Sequence, residues 1–490
     1  AENPGTPFFP GCFKMLVFLG RFNIHQGLRS VGIRPAIQQA LASTRVTVLS
    51  PCSGHAGIIR KGERIMRNRI EVRISFICRI VVFGSFAVLI VAQMAVASGF
   101  RNPPDGAGAM GHCGGKLTLT DDASLISHNP AGLTDLARPQ GMAAFTLVSS
   151  EAKFESAIPL MGTAKTTSDI HWLPSLYAAM PLAEGRFATG LGLTIPYGQS
   201  TEWSQNSLFR YAAPYFAELR VLDVAPALAM RLNDRLSAGF AIDFMASDLE
   251  LRQVFPWSAV TGVPVTPDGE ATFNAEGQGV GAHAGLQWTL SPRQLLALTY
   301  RSPVKVEYEG DFNVSGMPAG FPLPGASSDF DTVIRFPSVI AAGYGIKVLD
   351  NLQLGVDIEW IEFSRYDKLV LDVGPLNALL PETVIPQNWE DSWTIGLGAD
   401  WQVTEALTLR GGYQYVESPI PSSTLAPTLP DADRHVVSLG VGYAWKGHRV
   451  DLAYALSLFE DRQARNPNPL LNGTYELSSH LFGLSYGYVF

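Results

Sequence analysis

The feature that most restricts what this chain can fold into is a two-residue alternation that begins at Gly141 and recurs to the C-terminus. In a β-strand successive side chains point to opposite faces, so a period of two sorts them onto two surfaces. In the stretch NLQLGVDIEW, Leu352, Leu354, Val356, Ile358 and Trp360 share one face, and Gln353, Gly355, Asp357 and Glu359 share the other. Trp393, Ile395, Leu397, Ala399 and Trp401 oppose Thr394, Gly396, Gly398 and Asp400 in the same way, and Val437, Leu439, Val441, Tyr443 and Trp445 oppose Ser438, Gly440, Gly442 and Ala444. One face is apolar with aromatics near its ends; the other is small or polar. A soluble sandwich also alternates, so the connections must decide. Fourteen candidate strands begin near Gly141, Trp172, Phe187, Leu219, Leu236, Gly279, Leu295, Thr332, Leu352, Ser392, Leu407, Arg434, Arg449 and Glu476. Short turns such as PLAEGR, LNDR, LSPRQ, VLDN, VTEA and WKGH alternate with long stretches at 257–278, 311–331, 373–391, 417–433 and 460–475. Short turns on one rim and long loops on the other are the layout of an outer-membrane barrel, with an even strand number and an aromatic-girdled lipid face. The expected fold is all-β, a 14-stranded antiparallel transmembrane β-barrel over residues 141–490, in the outer membrane of a Gram-negative cell.

The segment before the barrel divides in three. Ile80 to Ala92 is a 13-residue apolar run preceded by Arg67, Arg69, Arg73 and Arg79 and followed by Ala95-Val96-Ala97. A basic stretch, a short apolar core and an A-x-A site describe a secretory signal peptide over 66–97, too short to span as a helix. Residues 1–65 read as a non-native or mis-called leader. Residues 98–490 hold 24 basic and 41 acidic residues, a net charge of −17, which disfavours a nucleic-acid partner. Cys113 is the single cysteine of that part, so no internal disulfide is expected, and neither a metal nor a cofactor is called for. Its seven histidines are scattered, and the nucleophile-elbow and zinc-protease motifs are absent, so the expectation is a protein that is not an enzyme.

Residues 98–140 are glycine-rich (GAGAMGHCGG) and then read DDASLISHNPAGL. Asp122 can cap a helix of one to two turns, and the residue before Pro130 disfavours its continuation. A segment this polar does not belong in lipid and is too short to be a domain. The economical place for it is the barrel lumen, as a hatch.

Five stretches taken together resemble a known family, the FadL-type outer-membrane transporters of long-chain fatty acids and the related toluene-type hydrocarbon transporters: Ser98-Gly99-Phe100, DDASLISHNPAGL, IPYGQSTEW, LTYRSPVKVEYEGDF and LPDADRHVVSLGVGYAW. The resemblance implies a hatch filling a fourteen-stranded barrel, with the Asn129-Pro130-Ala131 turn near a kink in the third strand. It aligns that kink with Tyr197-Gly198. Proline and glycine weaken ladder pairing, so Pro196, Tyr197 and Gly198 can open a gap in the wall, although the same residues also suit an ordinary strand end.

The implied function is passive uptake of hydrophobic compounds: capture at an extracellular apolar groove, passage to a lumen pocket, and lateral exit into lipid. FPWSAVTGVPV and GMPAGFPLPGA are unusually apolar for loops and nominate Phe255, Trp257, Phe321 and Leu323 as groove residues, with loop–loop packing the equal alternative. For the ligand carboxylate the nearest bases to the family positions are Arg252 and Lys368, neither in register, and a slip of one residue flips a side chain to the other face. Long-chain fatty acids are the first substrate class, uncharged aromatic hydrocarbons the second, and a structural or adhesive barrel without transport the third reading. The expected partners are the hydrophobic ligand, outer-membrane lipid and, through the terminal aromatic Phe490, the barrel-assembly machinery; the expected state is a monomer.

Overall fold

A computed structural model describes residues 99–167, 170–321, 326–380 and 383–490. The expected leader and signal peptide lie outside these residues. Fourteen antiparallel strands form a closed barrel: β1 (Gln140–Ser156), β2 (Ile170–Leu182), β3 (Phe187–Glu202), β4 (Phe216–Asn233), β5 (Leu236–Phe255), β6 (Gly269–Ser291), β7 (Gln294–Arg301 and Val304–Val314), β8 (Ser327–Phe336 and Val339–Leu349), β9 (Leu352–Ile361), β10 (Ser392–Gln402), β11 (Leu407–Val416), β12 (Arg434–Trp445), β13 (His448–Phe459) and β14 (Gly473–Val489). Each pairs with the next, and β14 returns to β1 from Gln140↔Val489 to Ser156↔Gly473. No helix among the described residues is long and apolar enough to cross a membrane.

The side chains are sorted opposite to a soluble core. Leu298, Leu439, Leu452, Phe482 and Leu484 point outward and are exposed, with Trp288, Trp393, Trp401 and Tyr443 among the exposed aromatics. Asp357, Glu359, Thr394, Arg410, Ser438 and Asp451 are buried on the inner face. Lipid supplies the apolar environment that the outward residues need, so the alternation is satisfied without a second sheet.

The strands start within about three residues of where the alternation places them except β8, which begins at Ser327 rather than near Thr332, and β6, which begins at Gly269 rather than near Gly279. Its first ten residues point Ala271, Phe273 and Ala275 inward and Asn274 and Glu276 outward. An outer face that stands in water carries no apolar signal, so this extension is silent to a pattern that looks for lipid.

Residues 99–139 lie against the inward faces of the strands. They form short helices α1 (Ala107–His112), α2 (Lys116–Leu119) and α3 (Leu125–His128), then a 3-10 turn over Pro130–Asp135. The Asp122 carboxylate accepts the Ser124 N–H (2.9 Å) and hydroxyl (2.6 Å), opening the single turn of α3, which stops at extended Asn129 ahead of Pro130. The glycine richness of this segment has a packing cause. Gly111, Gly114 and Gly115 face barrel glycines Gly440, Gly396 and Gly355, and a Cβ on Gly398 or Gly412 would overlap the carbonyl of Gly114 or His112. Backbone meets backbone here, which larger side chains on either partner would prevent.

Candidate functional site: the lumen cavity and its wall

Strand β3 breaks at its middle. Its pairing with β2 runs from Leu182↔Phe187 to Leu176↔Leu193 and ends; its pairing with β4 slips by a bulge between Thr194 and Tyr197. Pro196 offers no N–H to a ladder, and the bulge bends the strand. Above the break β2 keeps its partner β1 and β3 keeps its partner β4, so a window separates Ile170–Ser175 from the upper half of β3. The extracellular end is closed again where Thr166 bridges Trp203 and the Thr167 N–H donates to the Glu202 carbonyl (2.9 Å).

The N-terminal segment takes up the bonds that β2 leaves unmade. The Asn102 N–H donates to the Pro196 carbonyl (3.0 Å), the Gly198 N–H to the Phe100 carbonyl (2.7 Å), and the Asn102 side-chain amide to the Ile195 carbonyl (2.8 Å). The ring of Phe100 enters a cage of Trp389, Phe336, Tyr366, Phe363 and Tyr197, with centroid separations of 4.9, 5.2, 5.5, 5.6 and 6.1 Å. One residue before it, the Gly99 N–H donates to Asp431 (3.1 Å), which also accepts the Ser418 hydroxyl (2.8 Å). Burial pushes the Asp431 carboxyl above its ordinary range.

Beside the kink lies a cavity of about 130 Å³. Pro196, Tyr197, Arg301, Val339, Glu359 and Arg434 are among the residues that line it. Its charges are mostly matched. Arg101 and Lys116 both reach Glu359, and Arg301 lies 3.3 Å from Asp243 and 3.5 Å from Asp223. His283 connects this group to α3, with Nδ1 2.7 Å from Asp243 and Nε2 2.7 Å from the Ile126 carbonyl. Arg434 is less closely matched: its nearest carboxylate oxygen, on Asp431, is 3.8 Å away, and its Nε and Nη1, like Nη1 of Arg301, have no hydrogen-bond partner among the described residues. Within the N-terminal segment, burial raises Asp105 to about 6 and lowers His128 to about 4.

The structure brings some of the expected residues to this site and not others. Pro196 and Tyr197 line the cavity, and Gly198 is bonded to Phe100. Asp122, Asn129, Pro130 and Ala131 are buried in the N-terminal segment, but the Asn-Pro-Ala turn rests on β5 and β6 rather than on the β3 kink. Gly239 and Gly285, cross-strand partners, make its seat: a Cβ on either would overlap Pro130 or Asn129. The segment at the kink is Phe100–Asn102.

Neither proposed carboxylate partner faces the cavity. Arg252 lies on the outward row of β5 with Asp248 and Glu250, pairs with Glu250, and covers the Phe216 ring at 4.8 Å. Lys368 is exposed on a short loop strand, opposite Pro386. Phe255 and Trp257 are buried, stacked edge-on at 4.8 Å, with Phe321 5.2 Å from Trp257. They knit the loops together, and the apolar side chains exposed nearby are Val260, Val263 and Val265. Leu323 lies outside the described residues. Arg301 and Arg434 were not singled out by pattern; the available signal was an isolated arginine inside each of the blocks YRSP and DADRH.

Comparisons with known proteins agree with this architecture. The family model described as outer membrane protein transport protein (OMPP1/FadL/TodX) matches residues 88–490. A long-chain fatty acid transport protein of Salmonella typhi is 24% identical over 437 residues, covering 82% of this chain and 97% of its own. Among solved structures, a Pseudomonas aeruginosa FadL homologue superposes with a TM-score of 0.71 at 21% identity, over 80% of this chain and 100% of that one. The toluene transporter TodX of P. putida gives 0.61 at 20% identity, over 79% and 99%. With the family match spanning the whole described barrel, this chain belongs to the OMPP1/FadL/TodX family of outer-membrane transport proteins, which are channels and not enzymes.

Proposed function

We propose that this protein passes single-chain fatty acids from the cell exterior into the outer membrane without an energy source. A ligand settles from the loops into the cavity, displaces Phe100 from its cage, and leaves sideways between β2 and β3. The observation that carries this reading is the shared position of three features: the cavity, the parted strands, and the N-terminal segment that occupies the parting. A hydrophobic molecule released there enters hydrocarbon directly and avoids the cost of transfer into water. Arg434, buried beside the cavity with unfilled donors, suits the carboxylate end, since a charge-assisted hydrogen bond there would satisfy both groups. A second reading, uptake of uncharged aromatics, is favoured by the Phe100 cage, because five rings that hold one phenyl group can hold another. The names of the relatives, a fatty acid transport protein and a toluene transporter, support both classes.

The test is uptake by a host that lacks its own channel, with labelled oleate and labelled toluene offered separately. Oleate uptake that falls in Arg434→Gln while toluene uptake is absent throughout supports the fatty-acid reading; the reverse preference supports the aromatic one. A correctly assembled barrel that moves neither overturns transport and leaves a structural or adhesive barrel.

A further inference from the structure

The wall has a second interruption, between β7 and β8. Strand β7 is divided at Ser302-Pro303 and β8 at Pro337-Ser338. The register on either side, Val304↔Phe336 and Arg301↔Val339, sets Pro303 directly opposite Pro337. Proline cannot donate to a ladder and belongs at edges or bulges, so two facing prolines remove the donor from both sides of one seam. The neighbouring serines bond away from it. The Ser302 N–H donates to Ala282 and its hydroxyl accepts the Ala282 N–H; the Ser338 carbonyl accepts the Glu362 N–H and its hydroxyl donates to the Glu362 carboxylate. None of the described hydrogen bonds joins residues 302–303 to residues 337–338.

The alternation slips at the same height in both strands. Inward residues run Ala297, Thr299, Arg301 and then Val304, Val306, Tyr308 in β7, and Thr332, Ile334, Phe336 and then Val339, Ala341, Gly343 in β8. The slot without bonds covers three residue steps, about 10 Å of strand. On the inside it adjoins the cavity, which Arg301 and Val339 line. Phe336, at its upper edge, belongs to the Phe100 cage. On the outside Leu298, Tyr300 and Ile340 are exposed below it, whereas Lys305, Glu307 and Arg335 are exposed above it. The apolar belt therefore ends at the slot, with a tyrosine at its margin, as at a membrane interface.

We propose that the β7–β8 seam is a second lateral port, connecting the lumen cavity to the outer leaflet for alkyl chains. It rests on the reading above that the cavity carries hydrophobic ligands. Parting these strands over the slot breaks none of the described backbone hydrogen bonds, and an alkyl chain that slides through passes Val339 on the inside and Leu298 and Ile340 on the outside. The port differs from the β2–β3 window in that, among the described residues, no N-terminal residue is hydrogen-bonded across it.

Ser302 and Ser338 stand opposite in register, at the Cα separation of about 4.5–5.5 Å expected for antiparallel partners, which a disulfide can span. The experiment introduces Ser302→Cys with Ser338→Cys, in the full chain and in a chain lacking Tyr197-Gly198, and measures labelled oleate uptake before oxidation, after it, and after dithiothreitol. The reduced form of each protein controls for assembly. The expected result is residual uptake in the kink-deleted chain that falls at least threefold on oxidation and returns on reduction. Uptake identical in oxidised and reduced forms overturns the port, as does a kink deletion that alone reduces uptake to the level of the empty host. An unmodified chain that moves no oleate instead overturns the fatty-acid reading on which the port rests.

Discussion

Strands β1 and β14 close the barrel through 17 consecutive residue pairs, whereas β2 and β3, two seams further round, share only seven before they part. Strands β1, β2 and β14 alternate along their length, and β3 loses the alternation only at its break, where Thr194-Ile195 and Tyr197-Gly198-Gln199 are consecutive buried residues, so the difference is local. It comes from one proline and a bulge in β3, and from the N-terminal segment, which supplies to Ile195, Pro196 and Gly198 the bonds that β2 withholds. A closed sheet in lipid tolerates an unpaired stretch only where something else satisfies its backbone. At the closing seam each residue is paired with the neighbouring strand; at the window the N-terminal segment takes that place.

The largest effect should come from treating the closing seam as if it were the window. Val148 pairs with Leu481 on one side and His171 on the other. Val148→Pro removes a central donor where no substitute is present, and the expected outcome is loss of the compact, heat-modifiable barrel on unboiled gels. The converse change, Pro196→Val, restores a donor to β3; the barrel should assemble normally while hydrophobic uptake falls roughly three- to tenfold. Normal uptake in this variant would show that the kink does not control passage.

Next in size is Phe100→Ala, which empties a cage formed by five rings. Losing a buried phenyl group costs about 3–5 kcal/mol when the site cannot collapse. The Gly198 amide, bonded to the Phe100 carbonyl, should then exchange with deuterium at least a hundredfold faster, while amides of the β1–β14 seam keep their protection.

The smallest effect concerns pH. His128, buried with Nε2 against the Asp105 carbonyl, is held at about 4 against an ordinary 6.5, so its protonation favours the undocked segment and docking weakens as pH falls from 6.5 towards 4. Asp105, raised to about 6 from 3.8, acts in the opposite sense: its ionisation favours undocking as pH rises over that window. Between pH 4 and 6 the two trends oppose each other. His128→Gln leaves only the second, and protection of the N-terminal segment against protease should then increase as pH falls from 6 to 4. A pH response identical to that of the unmodified chain would refute the pairing of these two groups.

The degree to which the site could be read from residues varied with what each residue touches. Pro196-Tyr197-Gly198 was legible because a proline inside a strand pattern has few possible places. Arg252 was not: it differs from an inward-facing position by one residue, and the alternation weakens where β5 rises above the lipid and points Asp248 and Glu250 outward beside it. Lys368 lies on a loop strand that no barrel pattern describes. For Phe255 and Trp257 a groove and loop–loop packing were equally open from sequence, because an apolar loop stretch suits either; both side chains are buried under the loops.

By itself the sequence determined the number of strands, their order, and which face of each meets lipid, because lipid acts on every outward side chain in the same way and leaves a repeated mark. The tertiary structure alone decided where the N-terminal segment rests, which strand pairs are interrupted, and which arginines reach the cavity. Those outcomes depend on matches between residues far apart in the chain, such as Gly114 with Gly396 or Pro303 with Pro337. No local period records such a match, since each partner alone reads as an ordinary glycine or an ordinary strand end.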